Sequence, residues 1–65
     1  MSSISNNLKR LRKNKKLSQE RLARLAGVAN NTIIKIEAGK NKNPTLDTLK
    51  KISGVFGIKV DDLIR

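Results

Sequence analysis

Sixty-five residues suffice for one small domain, at a size where burial leaves little stability to spare. The chain has no cysteine and no histidine, which excludes disulfides and a Cys/His zinc site, and no apolar run approaches the length of a membrane span. Fifteen Lys and Arg against five Asp and Glu give a net charge of +10, which favours a polyanionic partner without choosing among DNA, RNA and an anionic lipid surface.

The first three residues are expected to fray. Ile4, Leu8 and Leu11 then recur at i, i+4 and i+7, which predicts a helix from Ser3 or Ser5 to Asn14. Its other faces carry Lys9, Arg10, Arg12, Lys13, Lys15 and Lys16, for which a solvated helix face is the plain account; Lys15 and Lys16 also suit a helix C-terminus. Ser18 is a good N-cap, and Leu22, Ala23 and Leu25 follow at helical spacing, predicting a second helix over residues 19–26. Gly27 interrupts that pattern, and another begins at once with Val28, Ile33 and Ile36, predicting a third helix over residues 30–38 with Gly39 just past its end. Two short helices joined through a glycine, with no room for a strand between them, describe a helix-turn-helix over residues 18–38. Ala23 is small where a bulky side chain would hold the two axes apart. The plainer alternative is an ordinary helical hairpin with a glycine cap.

Residues 40–43 form a polar, basic loop that stops at Pro44, which pushes Asn43 out of the helical region. Thr45 can cap a fourth helix with Asp47 in its first turn, and Leu46, Leu49, Ile52 and Phe56 mark one buried face before Gly57 ends it. Gly54 inside that helix costs about 1 kcal/mol against alanine. A last turn over residues 61–64 has Val60 and Leu63 available to pack. The expected fold class is all-α, a single domain over residues 1–65 with five helices, no repeat and no linker.

Beyond the helix-turn-helix itself, with Gln19 opening its first helix and Asn30 and Asn31 its second, the chain has a Gly-and-basic loop ending in Pro-Thr (residues 39–45). A Gly-Ile-Lys-Val-Asp-Asp-Leu close follows (residues 57–63). This pattern resembles the Cro/C1-type, or XRE-family, DNA-binding domains of the phage repressors, and the resemblance covers nearly the whole chain. It implies a compact lambda-repressor-like fold. There are departures: Ala29 stands where relatives often carry Ser or Thr, so Asn30 is expected to take over the cap. Lys59 occupies a position that is often an N-cap, and Ser53 replaces a small apolar residue.

The resemblance implies sequence-specific binding of double-stranded DNA by a transcriptional regulator, most simply a repressor, cytoplasmic and encoded by a bacterium or phage. In such domains the second helix of the motif lies in the major groove. The base-facing candidates are Ala29, Asn30, Asn31, Ile34 and Lys35. Asparagine can pair with adenine N6 and N7, lysine can reach guanine O6 or N7, and an apolar group can meet the thymine methyl. For Ile34 the competing account is partial burial against a neighbouring helix. Thr32 and Ile33 are expected to turn inward. Phosphate contacts are implied for Ser18, Gln19, Lys40, Lys42 and Asn43, with diffuse attraction from Arg10, Lys13 and Lys16. Arg12 and Glu37 match a structural ion pair that ties the first helix to the reading helix. Relatives bind palindromic operators as two-fold dimers, so a weak or DNA-induced homodimer is expected, with its contact patch near Pro44 and on Ile58, Val60 and Leu63. The same pattern suits a whole small regulator or the DNA-binding domain of a longer one.

Other functions are expected to fit less well. An antitoxin or adaptor whose main partner is a protein would depend little on Asn30 and Lys35. RNA binding lacks a stacking platform, since the chain has one aromatic residue. No enzyme is expected: five carboxylates without His or Cys offer no credible nucleophile and base. Nor is a metal, a cofactor, a small-molecule substrate or a membrane partner.

Overall fold

Three hydroxyls set where helices begin. Ser3, Ser18 and Thr45 accept hydrogen bonds from the backbone N–H groups of Asn6, Arg21 and Thr48 at 3.3, 3.0 and 3.2 Å, each satisfying a first-turn donor that has no partner within its own helix. In the computed structural model, which describes residues 3–65, these caps open α1 (Ile4–Asn14), α2 (Gln19–Ala26) and α4 (Leu46–Phe56). Two further helices, α3 (Asn30–Glu37) and α5 (Val60–Ile64), complete the described residues, which contain no strand. Among the described residues no helix is long and apolar enough to cross a membrane. The fraying expected of residues 1–3 falls partly outside the described residues; Ser3 itself is the α1 cap.

Every helix contributes to one core. Leu8 from α1, Leu22 from α2, Ile33 and Ile36 from α3, Ile52 from α4 and Leu63 from α5 are fully buried. Burying one such side chain stabilises by roughly 1.5–3 kcal/mol, so a domain this small has few to lose. α2 packs on α3 and α4, while α1 lies against α3 and α5. Ala23 and Ala26 are both buried on α2, where their small size lets α3 and α4 approach.

Three apolar positions differ from expectation. Leu25 is 51% exposed and Ala26 takes the inner place. At about 100° per residue, Leu22, Ala23 and Ala26 define the buried face, and Leu25 lies roughly a quarter-turn outside it. Leu46 is likewise 58% exposed, because in the first turn it falls to one side of the stripe formed by Leu49, Ile52 and Phe56. Ser53 occupies the buried place beside that stripe, with its hydroxyl donating to the Lys50 carbonyl at 3.1 Å. At the C-terminal turn, Leu63 is wholly buried and cannot form part of an exposed contact patch; Ile64 is the exposed residue. Consecutive helical residues point about 100° apart, so when Leu63 faces the core Ile64 turns away from it.

Asn7, one turn after Ile4 and one before Leu11, falls on the buried stripe of α1. Its side-chain amide donates to the Leu63 and Arg65 carbonyls at 2.9 and 2.6 Å. It thereby fastens the last turn of the chain to the first helix. Among the described residues no buried side-chain polar atom lacks a partner.

Candidate nucleic-acid interface

The turn between α2 and α3 is made by Gly27, whose φ of 71° is left-handed, with the Val28 N–H returning to the Ala23 carbonyl at 3.0 Å. Glycine reaches that conformation without a Cβ penalty. α3 then starts at Asn30, with Ala29 in the cap position and no side chain bonded to the first turn. Asn30 does not take over the cap, since it is already the first helical residue and the cap position falls to Ala29.

The other end of α3 is held firmly. Glu37, 3% exposed, accepts from Arg12 Nε at 2.7 Å and from a terminal Arg12 nitrogen at 3.0 Å, in a two-point fork. The Gln19 side-chain amide adds a bond to Glu37 Oε1 at 3.1 Å, and the Ser5 hydroxyl donates to the Glu37 carbonyl at 2.6 Å. The remaining Arg12 terminal nitrogen donates to the Leu17 carbonyl at 2.7 Å. The hydrogen bond to Glu37 raises the Arg12 pKa above its ordinary value, burial opposes this and Coulomb attraction adds to it. The guanidinium is therefore charged at every working pH. α1, α2 and α3 converge on one carboxylate.

This anchoring decides which face of α3 remains outside. Asn30, Asn31, Ile34 and Lys35 fall within roughly 140° of arc at about 100° per residue. All four are exposed, as is Ala29 just before them, and Ile33 and Ile36 occupy the opposite side; Glu37, two turns on from Asn30, is buried among its partners from α1 and α2. Thr32 is half-buried. Ile34 is 39% exposed, so partial burial does not hide it. No acidic side chain lies on the outer face.

The candidate phosphate contacts divide. Ser18, Lys40, Lys42 and Asn43 are exposed, and the loop carrying the last three is tied back by the Lys40 and Asn41 N–H groups bonding to the Lys35 carbonyl at 3.0 and 3.1 Å. The Asn43 N–H bonds to the Asn41 side chain at 3.2 Å. Gln19 is half-buried, and its amide nitrogen is engaged with Glu37. The sequence reading missed this link, together with Ser5 and Asn7. Only Asn7 had a signal, a polar residue on the i+3/i+4 stripe.

A helix-turn-helix family model matches residues 8–63. The chain is 43% identical over 60 residues to an uncharacterized HTH-type transcriptional regulator of Methanocaldococcus jannaschii, covering 92% of this chain and 89% of that one. With a Coxiella burnetii regulator of the same description it shares 38% over 64 residues, which is 98% of this chain but 30% of the longer protein. Among solved structures, the N-terminal DNA-binding domain of SinR from Bacillus subtilis superposes with a TM-score of 0.89 at 37% identity, covering 92% of this chain and 87% of that one. SinR solved in complex with DNA gives 0.87 at 35%, covering 92% and 98%. The fold, the pattern of residues and these likenesses agree: the chain belongs to the Cro/C1-type helix-turn-helix family of transcriptional regulators.

Proposed function

We propose that this domain reads double-stranded DNA through the major groove with the outer face of α3, and that it acts as a transcriptional repressor by occupying an operator. The observation that carries the reading is the exposed, acid-free face of Ala29, Asn30, Asn31, Ile34 and Lys35, on a helix fixed from behind by Glu37. Such a face offers asparagine amides to adenine, an ammonium to guanine and the branched alkyl side chain of Ile34 to thymine methyls. Ser18, Gln19, Lys40, Lys42 and Asn43 flank it and supply backbone contacts, Gln19 by exchanging its bond to Glu37 for one to phosphate. The likeness to a regulator solved on DNA supports the same reading.

All 65 residues work as one binding unit, without enzymatic chemistry, in the cytoplasm. One such unit reads only a half-site, so a palindromic operator and a weak homodimer formed on DNA complete the proposal. The pairing surface is the Pro44 loop with the half-buried Ile58 and Val60, and exposed Ile64 stands in for Leu63.

Selection from a randomised duplex pool tests this directly. A short palindrome should emerge, bound far more tightly than scrambled duplex at the same salt. Asn30→Ala should weaken that preference at one position of the site while keeping its general affinity for duplex. Enrichment of no sequence, with an equal salt slope on every duplex, would leave only non-specific phosphate binding and overturn the reading.

A further inference from the structure

Helices α1 to α4 all end in the same hydrogen-bonded hook. The N–H of Leu17, Val28, Lys40 and Ile58 returns across the final turn to the carbonyl of Arg12, Ala23, Lys35 and Ser53, at 3.0–3.2 Å. The residue at the bend of each hook is left-handed. In three cases it is glycine: Gly27, Gly39 and Gly57, with φ of 71°, 76° and 65°. In the fourth it is Lys16, at φ 56°. A side chain there crowds its own backbone, which glycine would avoid. Lys16 is exposed, so packing does not offset the strain, and among the described residues no carboxylate lies within ion-pair distance of it. All that glycine would remove is the ammonium-bearing side chain.

The surroundings share this character. Residues 1–19 contain six cationic side chains and no Asp or Glu. Arg12 is committed to Glu37, whereas Lys13, Lys15 and Lys16 are exposed. The three lysines lie two to five positions before Ser18, which with Gln19 the proposed function assigns to the DNA backbone. No large apolar side chain is exposed between residues 3 and 19 to anchor a lipid surface beside them.

We propose that Lys16, flanked by Lys13 and Lys15, is a phosphate-binding residue that extends the contact with duplex DNA beyond the stretch read by α3. The inference rests on the DNA-reading function proposed above. A duplex backbone offers the repeated, sequence-independent anions that a row of lysines matches.

Lys16→Gly gives the test, because its two effects have opposite signs. The variant should unfold at a higher temperature than the unaltered chain. It should also bind both the selected operator and scrambled duplex roughly threefold more weakly at moderate salt, with the slope of log K against log salt reduced by about 0.9. Lys59→Gln, which removes the same charge from the start of α5, should change that slope by less than half as much. A stabilised Lys16→Gly variant with unchanged affinity and slope would overturn the proposal while leaving base reading by α3 intact. So would equal slope changes in the two variants, since net charge alone would then explain them. Lost binding to phosphatidylserine vesicles with unchanged duplex binding would assign the lysines to a membrane and overturn it too. If the unaltered chain bound no duplex at all, this inference and the proposed function would fall together.

Discussion

The two ends of α3 are built on opposite principles. At the C-terminal end, Glu37 is buried and receives bonds from Arg12, Gln19 and Ser5, which reach it from α1 and α2. At the N-terminal end, Ala29 offers no capping group and Asn30 and Asn31 stand exposed. A helix eight residues long behaves as a short rigid lever. Fixing one end with a branched set of charged bonds sets its direction, and the other end can then be left polar and uncommitted. The difference teaches that orientation and contact are carried by separate residues, so each can be altered without the other.

The largest effect should come from breaking the anchored end. Glu37→Ala leaves the Arg12 guanidinium half-buried without its partner, and removal of one member of such a pair costs about 3–5 kcal/mol. A denaturant titration should show this loss to be much larger than that of Asp47→Ala, whose side chain is 78% exposed. Equal losses would show that the anchor is no anchor. At the open end, Asn30→Ala should change the unfolding free energy by less than about 0.5 kcal/mol. It should nonetheless weaken discrimination between the selected operator and its single-base variants by about 1–3 kcal/mol at one position. Competition binding would measure this, and a stability loss comparable to the binding loss would contradict the division of labour. The smallest effect sharpens the contrast: Ala29→Ser adds the missing cap and should stabilise by about 1 kcal/mol. A thermal melt with no gain would mean that the first turn of α3 is already satisfied.

Much of this was legible in the sequence, and what was not has particular causes. Caps and glycines are local signals, so the ends of α2 and α4 follow from Ser18, Thr45, Gly27 and Gly57 read in place. α3 ends at Glu37, with Ala38 as its cap rather than its last residue. The inner faces were harder where side chains are small. Leu25 outweighs Ala26 on any hydropathy scale, yet the close approach of α2 to its neighbours favours the alanine. Leu63 and Ile64 are nearly equivalent by composition, and only docking against α1 and α4 chooses between them. The Arg12–Glu37 link spans 25 positions, and no periodicity joins residues that far apart; family resemblance brought them together where spacing could not. Gln19 illustrates the reverse. Its position suggested a surface role, and its amide is engaged inward with Glu37.

Asn7 has a consequence for how the chain is made. Its amide closes on carbonyls 56 and 58 positions later, at residues 63 and 65. During synthesis the first helix emerges early, at a rate of about 5–20 residues per second, but the acceptors for this buried amide do not yet exist. Until residue 65 has cleared the ribosomal tunnel, α1 lacks both the Leu63 side chain of the shared core and the carbonyls that satisfy Asn7. The nascent domain therefore cannot complete itself from its N-terminus onward. The turn at α5 is the latch that closes the first helix.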